Sequence, residues 1–283
     1  MIIKKGGAMK IFYHSADLDG HCSGAILYRL FPGAELFGIN YGDEFPWGKI
    51  KKNEAVSMVD FSLQPFDDME RLNGIARLTW IDHHKTAIEE AHVRGFLASD
   101  CQVLEIGRGA CELVWEYYTH EKNKAVELLG QYDVWNLIPG ALELQQGLRL
   151  YDTMPSNTAL WEKVFYDDVF LESLLLNGSI ILKKQDRDNT AYAKACAFET
   201  DMGGMKVIAI NKGLTNSQLF KSVYNKNKHD AMLTFVWRKG QWTVSLYSDH
   251  NNIDVSVICK ANGGGGHKGA AGFQCDVLPF KLC

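Results

Sequence analysis

Aspartate and histidine are the side chains that hold hard divalent cations and move protons near neutral pH. In this 283-residue chain they gather behind three short apolar runs. MKIFYH (9–14) ends at His14, with Asp17 and Asp19 just beyond it. AVSMV ends at Asp60, and RLTWI ends at Asp82, His83 and His84. Each run reads as a β-strand. In an open parallel sheet the carboxyl ends of the strands line the ligand crevice, so these residues would face one pocket. Clustered carboxylates repel one another unless cations lie among them. A donor set of Asp and His suits Mn²⁺ or Mg²⁺ and argues against a thiolate zinc site. The donors outnumber what one ion needs, which points to two ions roughly 3.5–4 Å apart. Asp60, a lone Asp on a middle strand, is the natural bridge. Taken singly, the same residues have plainer readings. Asp17 and Asp19 before Gly20 fit a turn or a helix N-cap, and a His-His pair is often a satisfied core or surface feature. Their joint occurrence at three strand ends favours the metal site.

A second group lies near the end, in GGGGHKGAAGF (263–273). Glycines can adopt positive φ and let the backbone approach a ligand closely. Successive N–H groups in such a loop form an anion-binding concavity. Gly264, Gly265 and Gly266 are the candidate phosphate contacts, with His267 as a donor and Lys268 as added charge. The alternative is a flexible linker, but the flanking text is apolar.

The elements that must position these groups alternate along the first half. MKIFYH, AELFGINY (34–41), AVSMVDF (55–61) and RLTWIDHH (77–84) read as strands, with helix-like segments such as CSGAILYRLF between them. This is the pattern of an α/β fold: a parallel sheet with helices on both faces. After residue 110 the text turns helical, and from about 157 it continues as further helices up to AYAKACAFE. Residues 1–198 are expected to form the first domain, helical linker included, with Gly203-Gly204 marking the break. Residues 199–283 are expected to form a smaller α+β domain, with RKGQ as a hairpin turn.

Composition excludes other classes. Hydrophobic residues make up 46% and charged residues 23%, too balanced for a disordered or fibrous chain. No apolar run approaches the roughly 20 residues that span a bilayer, so no membrane partner is expected and a cytoplasmic location is the default. MIIKKGG before Met9 reads as a leader without structural role. Seven cysteines, an odd count with no CxxC pair, read as reduced structural thiols. Residues 1–199 hold 20 basic and 29 acidic side chains, and residues 200–283 hold 10 and 5. The net charge of −4 argues against a processive enzyme for long nucleic acids, which would want a broad basic track. Trp80, Trp135, Trp237 and Trp242 sit in apolar patterns and read as core. Phe45 and Trp47, in the polar loop GDEFPWGK, are the candidates for stacking or for anchoring that loop. Lys85 is either a phosphate contact or a solvated charge.

HSADLDG, VDFS, IDHHKT, QYDVW and GGGGHKGAAGF, in that order, resemble the motifs of the DHH phosphoesterases that carry a C-terminal DHH-associated domain of the GGGH-loop type, the group of nano-RNases, oligoribonucleases and pAp-phosphatases. The resemblance implies two metal ions, usually manganese with magnesium or cobalt as alternatives, in a cleft between an α/β domain and the smaller C-terminal domain. It implies His14 and Asp17 as ligands of the first ion, Asp19, His83 and Asp133 as ligands of the second, and Asp60 as the bridge. It implies His84 as the catalytic histidine and Asp82 as the residue that orients the histidines. Asp133 enters only through the resemblance; its pattern alone reads as a polar helix end. One departure is Tyr247, in Ser245-Leu246-Tyr247-Ser248, where many oligonucleotide-cleaving members place an Arg.

The expected protein is therefore a metal-dependent phosphoesterase. Two cations sharing a water would lower its pKa for in-line attack on phosphorus, and the metals with His84 would neutralise the developing charge. The expected substrates are short single-stranded oligonucleotides or nucleotide phosphates. Inorganic polyphosphate is the first alternative and a non-catalytic nucleotide-binding module the second. The oligomeric state stays open, a homodimer included.

Overall fold

The computed structural model describes residues 9–282, so the MIIKKGG segment lies outside the described residues. They divide into two compact units, one up to Leu182 and one from Lys183.

The first unit is built on five parallel strands: β1 (Lys10–His14), β2 (Glu35–Ile39), β3 (Ala55–Val59), β4 (Arg77–Asp82) and β5 (Cys101–Leu104), in the order β2-β1-β3-β4-β5. β5 is an addition to the strands expected from the sequence. Its four residues are half-buried at the sheet edge, too short and too polar in context to announce a strand. Period-2 alternation divides the core. Ile11 and Tyr13 face one side and pack with α1 (Leu18–Leu30), α4 (Ala110–Thr119), α5 (Lys124–Asp133), α6 (Ala141–Leu148) and α7 (Thr158–Tyr166). Phe12, Met58, Leu78 and Trp80 face the other side, against α2 (Asp67–Ile75) and α3 (Lys85–Arg94). Helices on both faces bury both sides of the sheet, as an all-parallel sheet requires. The chain order reverses between β1 and β3. The carboxyl ends beside such a switch point form the crevice of a doubly wound sheet.

Helix α8 (Asp168–Cys196) carries the chain from the first unit into the second. Ala193, near the end of α8, packs with Ile208, Ile210, Phe220 and Met232.

The second unit is a six-stranded mixed sheet in the order β10-β11-β9-β8-β7-β6. Its elements are β6 (Phe198–Met202), β7 (Met205–Asn211), β8 (Ala231–Arg238), β9 (Gln241–Tyr247), α9 (Val255–Ala261), β10 (Gly265–His267) and β11 (Ala270–Cys275). The RKGQ turn closes the β8–β9 hairpin with Lys239 and Gly240 both at positive φ, the requirement of a type I′ turn. Among the described residues, no helix is long and apolar enough to cross a membrane, and the described cysteines are all free thiols.

Candidate metal centre

The switch point determines where the chemistry gathers. Tyr13 pairs with Val59, so the next residues along the two strands are His14 and Asp60. β4 lies beside β3 and ends at Asp82, ahead of His83 and His84.

Asp17 serves in two ways. It is the N-cap of α1, where its Oδ1 accepts from the Gly20 amide at 2.9 Å. Its Oδ2 lies 3.0 Å from His14 Nδ1. Gly20 is required there: a Cβ would sit 1.9 Å from the His14 carbonyl oxygen, so only glycine lets α1 start over the end of β1. Asp19, in the first turn of α1, is buried, and its carboxylate accepts from the amides of Ala110 and Cys111, each at 2.7 Å. Those amides open α4, so Asp19 is held by the positive end of a helix.

Asp60 is the hub. It is buried, it takes a left-handed backbone (φ 56°), and its amide donates to Ile81 O at 3.0 Å. Its Oδ1 lies 3.1 Å from His83 Nε2 and 3.9 Å from His84 Nδ1, and its Oδ2 lies 3.7 Å from His14 Nδ1. His83 Nε2 is in turn 3.3 Å from Asp133 Oδ2 and 3.6 Å from Asp19 Oδ2. Asp82 is fully buried; its Oδ1 accepts from the amides of His83 and His84 and from His84 Nδ1, the last at 2.7 Å. That bond fixes the ring and leaves Nε2 as its other nitrogen.

The electrostatics are those of crowded carboxylates. Burial, then the charges of Asp19 and Asp17, push Asp133 up to about 7. The same causes push Asp60 well above the carboxylate range. Burial opposes charge on His14, but Asp17 and Asp60 outweigh it and raise the imidazole to about 10. Burial likewise opposes ionisation of Asp82, and His84 outweighs it and lowers that carboxyl.

These residues fit divalent cations. Opposing groups lie 3.0–3.7 Å away, yet His14 Nδ1, His83 Nε2 and both carboxylate oxygens of Asp60 are buried without a properly directed hydrogen bond, a costly state. Three ligand groups meet the spacing of an ion site: His14–Asp17–Asp60, Asp60–His83–His84 and Asp19–His83–Asp133, each with its donor atoms within 4.8 Å of one another. Such oxygen and imidazole donors suit borderline-hard divalent metals. The structure thus brings together every Asp and His singled out between His14 and Asp133. Asp133 arrives by helix packing: a Cβ on Gly109, just before α4, would lie 2.3 Å from Gly130 Cα of α5, and this close approach sets the end of α5.

The glycine run is a strand as much as a loop. Gly265–His267 forms β10, with Gly265 opposite Gly272 and His267 opposite Ala270 of β11. Only Gly263 and Gly266 of the run take positive φ. A Cβ on Gly264 would lie 2.1 Å from Gly272 O, so that glycine serves close packing. Lys268 donates to Asn251 O at 2.6 Å, and His267 is exposed.

Of the two roles open to Phe45 and Trp47, the structure favours the loop anchor: Phe45 is buried against Phe12, and Trp47 stacks under the Arg71 guanidinium at 3.8 Å. One expectation needs correction: Trp135 and Trp237 are exposed rather than core. Trp135 follows the end of α5 in a left-handed conformation, and Trp237 lies across the hairpin from Trp242. The Tyr247 hydroxyl donates to Thr215 O at 3.3 Å, and Lys85 pairs with Glu89 on the exposed face of α3. The aromatic that sequence reasoning misses is Tyr41, whose ring lies 5.8 Å from His14 and 6.3 Å from His84. Its signal is faint: one Tyr at the end of the strand expected over 34–41, which in the structure stops at Ile39.

Two curated relatives cover nearly all of the chain. One is the oligoribonuclease NrnB of Bacillus subtilis (strain 168), 26% identical over 308 residues, 95% of this chain and 74% of the relative. The other is the uncharacterized protein R106 of Acanthamoeba polyphaga mimivirus, 24% identical over 313 residues, 99% of this chain and 71% of the relative. Among solved structures, the DHH domain of a protein assigned to a family of ribosomal proteins matches with a TM-score of 0.57 at 15% identity, over 94% of this chain and 82% of that one. The pGpG-specific phosphodiesterase PggH of Vibrio cholerae matches with a TM-score of 0.53 at 14% identity, over 94% and 92%. No family model matches the chain. The chain has the α/β fold of the DHH-domain proteins, and the resemblance to the DHH phosphoesterases carried by its motifs holds.

Proposed function

We propose that this chain is a divalent-metal-dependent phosphoesterase that hydrolyses short oligonucleotides or nucleotide phosphates. The observation that carries the reading is Asp60: a buried carboxylate whose oxygens make no hydrogen bond and face only the ring nitrogens of His14 and His83, at 3.7 and 3.1 Å. The names of NrnB and PggH support the substrate class. His14 and Asp17 are assigned to one cation, Asp19, His83 and Asp133 to a second, and Asp60 to both, with Mn²⁺ the first choice and Mg²⁺ or Co²⁺ next. Bound there, the cations would neutralise phosphate charge and lower the pKa of water for attack.

The remaining chemistry belongs to side chains. Asp82 accepts from His84 Nδ1 and favours the imidazolium, which raises the His84 pKa against the opposing effect of burial. A proton is thereby kept on Nε2 for a phosphoryl oxygen or for the leaving group. Asp19 keeps its position because two backbone amides hold it, so repulsion from Asp60 and Asp133 does not drive it away. The second unit is assigned the role of the DHH-associated substrate-binding domain, with Gly264, Gly265, Gly266, His267 and Lys268 as phosphate contacts. The edge position of β10 supports this, since among the described residues one side of that strand has no neighbouring strand.

The test is hydrolysis of the dinucleotide pApA, a 3′,5′-bisphosphate nucleotide and inorganic polyphosphate by the Mn²⁺-loaded chain, beside Asp60→Ala. Turnover of the nucleotide substrates that the variant loses is expected. Equal rates in the two proteins, or a strong preference for polyphosphate, refute the reading.

A further inference from the structure

Tyr41 lies two residues past the end of β2, in the turn Asn40–Asp43. The Asp43 amide donates to Asn40 O at 3.1 Å, the Asn40 amide donates to Asp43 Oδ2 at 2.8 Å, and Gly42 takes φ 95°. This is the signature of a type II turn with Tyr41 at its second position, so the backbone that carries the ring is fixed. Phe61, buried directly after Asp60, backs the ring at 4.6 Å and an interplanar angle of 35°. The rings of His14 and His84 meet it near edge-on, at 65° and 80°. Yet Tyr41 remains 50% exposed. Among the described residues it is the exposed aromatic in ring contact with the candidate centre. A large ring braced on one side and open on the other, over a site built of charge, offers stacking area that a bare phosphate cannot cover.

We propose that Tyr41 is a base-stacking platform, so that the substrate bound at this centre is a phosphate ester carrying a nucleobase rather than inorganic polyphosphate. The inference rests on the phosphoesterase reading and narrows its substrate class. Every base presents a π-face, so such a platform selects for a base without selecting which base. Tyr41 acts as a positioning residue: the base rests on it while the attached phosphate reaches His84.

The experiment measures equilibrium binding of AMP and of ribose 5-phosphate to the full Mn²⁺-loaded chain by calorimetry, for the wild type, Tyr41→Ala and Tyr41→Phe. The wild type is expected to bind AMP about tenfold or more tightly than ribose 5-phosphate, the scale of one base stacked on an aromatic ring. Tyr41→Ala should erase that difference by weakening AMP alone, and Tyr41→Phe, which keeps the ring, should retain it. For pApA hydrolysis the loss in Tyr41→Ala should fall on KM more than on kcat. The inference is overturned if the wild type shows no preference for AMP, or if Tyr41→Ala keeps the preference. A general folding defect would weaken both ligands, and thermal unfolding of each variant identifies it; in that case Tyr41→Leu supplies the ring-less comparison. Base-dependent binding without turnover of any phosphate ester would refute the phosphoesterase reading and leave the platform standing. Turnover indifferent to Tyr41 would do the reverse.

Discussion

Gly109 and Gly130 touch where α4 begins and α5 nears its end, so closely that a Cβ on Gly109 would lie 2.3 Å from Gly130 Cα. One side of this contact presents the Ala110 and Cys111 amides to Asp19; the other leads, three residues on, to Asp133. Two candidate ligands of one ion thus depend on a pair of glycines that are not themselves ligands. Gly109→Ala is expected to overpack the contact, cost about 1–3 kcal/mol of stability, and weaken Mn²⁺ binding. Gly74→Ala is the control. Gly74 sits in α2 with open space where a Cβ would be, so the change should leave metal binding alone and raise stability by about 1 kcal/mol or less. Urea unfolding and metal titration of the two variants measure the contrast.

Asp60 should trade stability against function. Without metal its buried carboxylate faces Asp19, Asp17 and Asp133. Asp60→Asn removes the ionisable group at constant size, and with it the cost of a carboxyl whose pKa folding raises, so near neutral pH the metal-free variant should be about 1–3 kcal/mol more stable than the metal-free wild type. The same variant should lose the stabilisation that Mn²⁺ gives the wild type. Thermal unfolding with and without EDTA reads both effects, and a metal-free variant less stable than the wild type would contradict the electrostatic account.

The strand-end residues are legible in the sequence because period-2 apolar runs end where a parallel sheet opens its crevice. His14, Asp60, Asp82, His83 and His84 follow from that rule. Asp133 does not, since it ends a helix and reaches the centre through the Gly109–Gly130 contact, which no periodicity reveals. Phe45 and Trp47 draw attention away from Tyr41 because a polar loop hides which of its aromatics packs inward; Arg71 and Phe12 decide that, and both are distant in sequence. The glycine run reads as a loop because glycine has low strand propensity, whereas pairing with Gly272 and Ala271 makes part of it a strand.

The metal-free protein should lose stability as pH rises. Asp133 has a folded pKa of about 7 against an unfolded value near 3.8. Between those values the folded chain holds a proton that the unfolded chain has released, so the stability present below about 4 falls as pH climbs to about 7. His14, raised to about 10 from 6.5, extends the decline: its contribution is complete below 6.5 and is lost toward pH 10. Saturating Mn²⁺ replaces the protons and should flatten or reverse the slope. Unfolding midpoints from about pH 4 to 10, with and without metal, provide the comparison.

Asp82 should matter for turnover more than for metal. It supplies no ligand atom to the three groups, yet its Oδ1 accepts from His84 Nδ1 at 2.7 Å and from the two following amides. Asp82→Asn keeps the shape but withdraws the charge that favours the His84 imidazolium, so less of the Nε2–H donor is present near neutral pH. The expected result is a kcat about 10–100-fold lower, with Mn²⁺ content close to that of the wild type and a pH profile whose alkaline limb moves to lower pH. His84→Ala removes the donor itself and should erase that limb. If Asp82→Asn instead loses metal while keeping its profile, the carboxylate supports the ligands and not the proton on His84.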